Sequence, residues 1–563
     1  MTDPDQPSTP DTNDPHYDRG LTREVERGSL DPTEEGLVGA SEAGIAPPPP
    51  QRRGLGLTPD GRFRVGRLAG LTMTAAIWTL SWPVMLESFL NSLVGLTDTV
   101  LAAGLGVPEA DAIAGASYIM WFIGLVIMAV GVGATALISR SVGAGRLAVA
   151  SAVLGQSLVL SVTLGTVVAV GVASSAKPVT GLLNMTGEAG SAFSTYILVI
   201  AAGIPFTAIL FTLTACARGA GDSRRPLYAM VIRNIVNMIV SFLLSGVDIT
   251  HTAAGPDGPI VHTVLANPAH FDLGILGIAL GTFAGDTVGA GVMVWMALRG
   301  TWGIALYRKR LRPHWITIKR LVNLGVPNFL ETAGMWFGNF LVLVMVGGIT
   351  VTETIGGITE EGGLLGAHMI AVRIEAMSFL LGFAMGAAAA TLAGQYLGAG
   401  RADLARKAVW RCAAVAAAVM GSFGLAFLLI PRTLVGLLSS QPEHLAITPT
   451  LLTVCGWVQI PFAIGIVLRS ALRGAGDVKV VMAITWISTY LVRLPLAFLL
   501  CGADLVLGAG SGHPWLTIPN PMPDDFPIHG IRGLWIGLCI DLVIRGVIFT
   551  FRFTRRGWTG LRV

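Results

Sequence analysis

Charged residues are scarce in this sequence. Asp, Glu, Lys and Arg make up only 13% of its 563 positions, against roughly 25% in soluble chains. That shortage excludes an ordinary soluble globular protein. Cysteine is scarcer still. The five are Cys216, Cys412, Cys455, Cys501 and Cys539; each lies in or beside an apolar segment, and none forms a C-x-x-C pair. A disulfide framework and a thiolate metal site are thereby set aside, leaving small buried hydrophobes. No GxxxxGK[ST] string occurs, which argues against a pump driven by a phosphate-binding loop. Paired Asp-rich sequences, the usual Mg2+ site of a membrane prenyl-group transferase, are also wanting. The one adjacent pair, Asp524-Asp525, lies beside prolines in an outer loop. The sequence therefore does not read as an enzyme. No cofactor and no nucleic-acid partner are expected.

What is abundant is apolar sequence. Hydrophobic residues reach 53%, and they come in runs long enough to cross a bilayer, which takes about 20 residues of helix. Twelve spans are expected near residues 74–104, 110–138, 147–174, 189–216, 225–246, 273–299, 318–348, 363–394, 404–430, 445–471, 478–501 and 530–553. The first 60 or so residues are rich in Asp, Pro, Thr and Gly, with Pro47 to Pro50 in a row. Such a composition cannot bury a core, so a disordered tail is expected, with no cleavable signal peptide.

Lys and Arg alternate between the gaps. They fill the stretch before the first span (Arg62, Arg64, Arg67) and every second gap after it: Arg140 and Arg146; Arg218, Arg224 and Arg225; Arg308, Lys309, Arg310 and Arg312; Arg401 and Lys407; Arg473 and Lys479. The intervening gaps carry little more than Lys177 and Arg432, and two are long and acidic, with Asp248, Asp257 and Asp272, then Asp504, Asp524 and Asp525. The positive-inside rule then puts both termini in the cytoplasm, on a multi-pass protein of the cytoplasmic (inner) membrane.

The chain is duplicated. RGAGD occurs at 218–222 and at 473–477, Ile204-Pro205-Phe206 recurs as Ile460-Pro461-Phe462, and Gly143-Ala144-Gly145-Arg146 recurs as Gly398-Ala399-Gly400-Arg401. Pro83-x-x-Leu86-Glu87 recurs as Pro327-x-x-Leu330-Glu331, in the same order. Six spans per copy is an even number, so the copies are parallel repeats. The expected fold is an all-α polytopic membrane protein of twelve transmembrane helices in two six-helix bundles. The parts are a cytoplasmic tail at 1–67, a bundle at 68–300, a basic linker at 301–317, a second bundle at 318–556 and a short tail at 557–563. The GAGR and RGAGD strings read as tight turns and helix ends.

Charge inside a span costs about 2.5–3.5 kcal/mol on insertion scales, so each such residue needs a reason. The first span holds Pro83, Glu87, Asn91 and Asp98 on one helical face. Pro83 removes a backbone hydrogen bond and is expected to act as a hinge, as is Pro327 in the second copy. The fifth span offers Asn234, Asn237 and Ser241 on one face, and the sixth offers Thr282 and Asp286 a turn apart. These oxygens, with Asp98, suit a small hard cation. The second copy departs here: Val342 stands where Asp98 would be and Met335 where Asn91 would be, though Asp541 matches Asp286. It supplies Glu331, His368, Arg373, Glu375 and Arg493 instead, so ion chemistry is expected in the first copy. The alternatives are plain. Glu87 and Glu331 face substrate or pair with Arg373, Arg233 or the other half. His368 carries a proton or hydrogen-bonds a carbonyl. Arg493 and Asp541 line a cavity or form structural pairs.

At this point the sequence resembles the multidrug and toxic compound extrusion (MATE) family over roughly residues 68–556. The resemblance rests on Pro83 fifteen residues before Asp98 in VGLTDTVLAAGLG, the GAGR turn, RGAGD-x-x-x-P, Asn237 and GIALGT. AHMIAVRIEAMSF and TLAGQYLGAGR resemble a bacterial branch. The resemblance implies two six-helix bundles in a V. It also implies export of small amphipathic, often cationic compounds in exchange for inward Na+ or H+. A family cation site would fall on Asp98, Asn237, Ser241 and Thr282. Ser241 departs from it, since those members have Asp there; Asp286 is the substitute one turn past Thr282. Any bound metal would be a Na+ at Asp98. The cavity is assigned to Glu87, Asn91, Asn234, Glu331, His368, Arg373, Glu375, Arg493 and Asp541, and a monomer is expected. A related family of lipid-linked precursor flippases is the rival, kept open by Arg233, Arg373 and Arg493.

Overall fold

The structure, a computed structural model, describes residues 57–561 apart from 65, 183–186, 256–257, 270, 350–353, 356–357, 360–363, 440, 508–515 and 523–528. Asp257, Asp524, Asp525 and the tail at 1–56 lie outside the described residues.

Six long helices make the first half: α1 Met73–Leu105, α2 Val107–Gly143, α3 Leu147–Leu182, α4 Gly187–Gly219, α5 Arg224–Ser245 and α6 Ile275–Leu298. The second half repeats the order with α7 Trp315–Gly348, α8 Leu364–Gly398 and α9 Ala402–Leu429. A short α10 (Pro431–Gly436) leads to α11 Pro442–Gly456 and α12 Gln459–Gly474, then α13 Val478–Ile487 and α14 Leu494–Cys501, and finally α15 Gly530–Thr554. Among the described residues eleven spans are long and apolar enough to cross a bilayer unbroken. The pair α11 and α12, bent by 61°, makes a twelfth. Each of the twelve expected spans has its helix.

The bend has a local cause. Pro461 has no N–H to give the carbonyl four residues back, at Trp457, where the helix breaks. Its counterpart Pro205 sits inside an unbroken α4. Helices α1 and α7 likewise run unbroken through Pro83 and Pro327. A π-helical turn over Ser488–Arg493 joins α13 to α14.

The repeated strings fold alike. In GAGR, Gly145 and Gly400 have φ of +75° and +74°, and the next amide turns back to Ser141 or Tyr396. In RGAGD, Gly221 and Gly476 have φ of +93° and +92°, and the Asp amide bonds Ala217 or Leu472. Both are left-handed helix caps that only glycine adopts without strain.

The halves touch where these turns gather, at the arginine-rich end. Apolar burial gives helices little reason to associate in lipid, so close packing of small residues matters. A Cβ added to Gly143 or Gly398 would strike the backbone of Gln395 or Arg140 in the opposite half. Gly133 and Gly325 leave similar room against the backbones of Leu321 and Ala129, at 2.8 and 2.9 Å. Across this seam Gln395 donates to the Gly219 carbonyl and Thr391 to that of Arg218, each at 3.1 Å.

The segment just before α1 and the one just after α15 both reach the seam, which corrects the reading of 57–67 and 557–561 as tail. Leu57, Phe63 and Leu68 are buried, and Phe63 lies 4.6 Å from the Tyr396 ring. Arg67 pairs with Asp222 at 3.3 Å and donates to the Thr301 carbonyl. Burial pushes the Asp222 carboxyl above its ordinary range in spite of Arg67. Trp558 is fully buried, stacked on Phe553, and the Leu561 carbonyl accepts from Arg140. The linker is also held. Gln156 of α3 donates to the carbonyls of Arg310 and Arg312 and accepts from the His314 amide.

At the opposite end the long acidic loops are β-hairpins, which the composition did not suggest. Strands Ile249–Gly255 and Gly258–Leu265 pair antiparallel, as do Leu505–Leu507 and Leu516–Ile518. Each is fastened by the same clasp. The Asn267 amide donates to Asp248 at 2.6 Å and its side chain to the Phe242 carbonyl. The Asn520 amide donates to Asp504 at 2.7 Å and its side chain to the Phe498 carbonyl.

Candidate functional site

In the first half, α5 and α6 lie side by side because α6 is glycine-rich where they meet. A Cβ on Gly285 would come within 2.8 Å of the Arg233 carbonyl, and one on Gly281 would run into Ser241. This contact brings polar faces together. Asn237 donates its amide to the Thr282 hydroxyl at 3.0 Å. Ser241 donates to the Ile278 carbonyl at 3.3 Å, so it faces α6 as expected but is spent on backbone.

Asp286 is buried and taken. Arg233 Nε donates to it at 2.6 Å and Thr207 donates from α4. The Arg233 guanidinium also reaches Asn234 Oδ1 at 3.1 Å. Asp286 is thus one side of an ion pair rather than a spare ligand. Asp98, on α1, is within electrostatic range of both Arg233 and Asp286. Its Oδ1 is buried with no hydrogen-bond donor among the described residues. Asn91 Oδ1 and Asn237 Oδ1 are in the same condition. A buried carboxylate oxygen without a donor suits a proton or a hard monovalent cation. Among the described residues no group of three or more His, Cys, Asp or Glu is arranged to hold a metal.

The two matched glutamates are both paired, each to an arginine that sequence reasoning had left in a turn. Glu87 is buried against Arg218. Glu331 is fully buried, taken by Arg469 Nε at 2.7 Å, Arg473 at 2.7 Å and the Thr485 hydroxyl at 2.8 Å. The expectation that Glu331 lines the cavity is corrected: its carboxylate is consumed by two guanidiniums. The pairing candidates Arg373 and Arg233 are also wrong for both glutamates. A signal was available. Arg218 and Arg473 are the same letter of the repeated RGAGD, as Glu87 and Glu331 are the same letter of the repeated Pro-x-x-Leu-Glu.

Most of the remaining candidates of the second half lie inside the bundle, in separate groups. Asp541 accepts from Arg545 at 2.6 Å and from Ser488, and Arg545 also reaches Thr489 at 3.2 Å. Met335 sulfur lies 3.8 Å from both Arg469 and Arg545, linking this group to Glu331. His368 accepts at Nδ1 from the Trp535 indole at 3.1 Å. The partner found for the ring is thus an indole N–H, with Nδ1 as the acceptor. Glu375 sits against the Cys455 thiol. Arg493 lies within electrostatic range of Asp541, Arg545, Glu375 and His368, yet hydrogen-bonds none of them. Arg373 is exposed on α8. Arg469 and Arg545 are members of this buried network that the sequence did not single out, and Arg473 had appeared only as a flanking charge.

Comparison with known proteins follows the same outline. The MatE family model matches residues 83–243 and again 327–499. A probable multidrug resistance protein NorM from Thermotoga maritima is 24% identical over 489 residues, covering 85% of this chain and 92% of its own length. Multidrug resistance protein MdtK from Pectobacterium atrosepticum is 21% identical over 492 residues, covering 86% and 95%. A solved MOP superfamily transporter from Pyrococcus furiosus superposes with a TM-score of 0.70 at 18% identity, covering 86% of this chain and 96% of that one.

Proposed function

This chain belongs to the MatE family, and from that premise we propose that it exports small organic compounds across the membrane in exchange for an inward cation. It is a multi-pass membrane transporter and not an enzyme. The substrates are amphipathic compounds of the multidrug type, and the coupling ion is H+ in preference to Na+. The two halves alternate access by rocking about the glycine-lined seam. The protein works as a monomer in the cytoplasmic membrane with both termini inside, and the arginine-rich seam is its cytoplasmic end.

One observation carries this reading. Among the described residues, Asp98 is the one carboxylate of Glu87, Asp98 and Asp286 that no guanidinium or hydroxyl holds. A carboxylate already locked in an ion pair cannot bind and release an ion in each cycle. An unheld one in a poorly solvated site gains proton affinity, and the fixed charges around it are too few for a Na+ cage. Ser241, bound to the Ile278 carbonyl, adds no charge.

The test is efflux from vesicles with Na+ and pH gradients imposed separately. A pH gradient alone should drive export of a cationic dye. Export that follows only Na+, at equal pH on both sides, overturns proton coupling.

A further inference from the structure

We propose that the segments 57–71 and 556–561 ride on the second half and clip onto the first through two releasable polar clasps, at Arg67 and at Arg140, which together form the cytoplasmic gate. The proposal rests on the alternating-access reading and names contacts that part in each cycle.

Both segments are seated on the second half by apolar burial. Leu57, Phe63 and Leu68 belong to a buried cluster made mainly of residues from α8, α9, α12 and α15. The Phe63 ring lies 4.6 Å from that of Tyr396. A Cβ on Gly61 would come within 3.0 Å of Leu404. Trp558 is fully buried, donates to the Phe553 carbonyl at 2.8 Å and stacks on its ring, and Leu561 packs on the same cluster. The segments lie beyond the ends of α1 and α15, at the water boundary. Burying apolar surface stabilises there, as it does not between helices in lipid.

The contacts with the first half are of another kind. Arg67, with its side chain 37% exposed, pairs with Asp222 at 3.3 Å and donates to the Thr301 carbonyl. Both acceptors are shared. Arg225, which belongs to the first half, reaches Asp222 at 2.7 Å and donates to the same Thr301 carbonyl. When Arg67 leaves, Asp222 keeps a guanidinium and Arg67 passes into water, so no buried charge is stranded. The second clasp is a hydrogen bond from Arg140 of α2 to the Leu561 carbonyl, which water can replace. Arg140 stands at the seam itself, its own carbonyl against Gly398.

For the halves to part at this end, either the apolar seats or the polar clasps must open. Opening the seats exposes Phe63 and Trp558 to water. Opening the clasps only exchanges one polar partner for another. The clasps are therefore the side that yields, and the two segments stay with the second half.

The experiment places cysteine pairs in the full chain, whose five native cysteines are all buried, and joins each pair with a short bis-thiosulfonate linker that reduction removes. Arg67→Cys with Asp222→Cys ties the first segment to the first half. Linking should lower export of a cationic dye from vesicles about tenfold, and reduction should restore it, which a folding defect would not allow. Phe63→Cys with Tyr396→Cys ties the same segment to the second half, and linking should leave export unchanged. Undiminished export with the first pair linked overturns the gate, as does a reversible loss with the second. A further measurement needs no transport: the labelling rate of a cysteine placed at Thr391, inside the seam. Arg67→Gln combined with Arg140→Gln should raise it about tenfold, and Arg67→Lys should stay near wild type. An unchanged rate in the double variant overturns the gate even if dye export persists, and the export reading then stands. If labelling responds while wild type exports no dye, the export reading fails and the gate stands.

Discussion

The two halves share a scaffold and differ in what is left over. Each has a span-one glutamate tied to the arginine of RGAGD, Glu87 to Arg218 and Glu331 to Arg473. Each has an aspartate in its sixth helix tied to an arginine, Asp286 to Arg233 and Asp541 to Arg545. After those pairs are made, the described residues of the first half retain an unheld carboxylate, Asp98, and those of the second an unheld guanidinium, Arg493, besides Glu375, which is in no ion pair. Paired charges are structure: they specify how helices pack, and breaking one leaves a buried charge uncompensated. Unpaired charges are where a ligand can act. The duplication thus makes candidate ligand-binding residues visible by subtraction.

The largest effect should come from removing the first half's remainder. Asp98→Asn should lower gradient-driven efflux at least a hundredfold, on the order of 3 kcal/mol, while size-exclusion profile and thermal stability stay near wild type. Wild-type efflux by this variant would erase the contrast between the halves.

Next in size is the difference between the matched glutamates. Glu331→Gln strands two guanidiniums in the interior and should destabilise by about 3–5 kcal/mol. Glu87→Gln strands only Arg218, whose side chain is 23% exposed, and should cost about 1–3 kcal/mol. Thermal unfolding in detergent measures both, and equal shifts would mean that the second arginine contributes nothing.

Sequence showed the spans, their alternating flanks and the repeat, because sparse charge and long apolar runs are properties of single segments. It did not show who pairs with whom. Glu331 and Arg469 lie on different helices 138 positions apart, and neither periodicity nor composition links them. Arg473 was read as part of a turn because its string is glycine-rich. Asp286 looked like a free ligand because Arg233 and Thr207 approach it from other helices. The hairpins were hidden by polar, glycine- and proline-bearing loops, although Asn267-Pro268 and Asn520-Pro521 recur at their ends. Leu57, Phe63 and Leu68 were lost in the composition of the segment before them.

The seam supplies a smaller test. Gly143→Ala and Gly398→Ala press reciprocal points on the opposite half, and each should cost about 1–3 kcal/mol as overpacking does. Both should raise the labelling rate of a cysteine placed at Thr391. A response in one variant only would show that the halves do not share the contact equally.

Smallest is the clasp on the outer hairpins. Asn267→Ala and Asn520→Ala each remove matched hydrogen bonds and should cost about 1 kcal/mol. Amide exchange in the strands flanking each substitution should quicken several-fold with transport unchanged. If only one hairpin loosens, the likeness of the two clasps is geometric and not energetic.

The strapping of the segments that flank the two bundles has a practical side. Arg67 is tied to Thr301 and Asp222, Phe63 to Tyr396 of the other half, and Leu561 to Arg140. Leu57 and Leu561 pack against one buried cluster made mainly of second-half residues. A dye at either position, paired with one on the first-half hairpin at 249–265, would report any change in the distance between the halves.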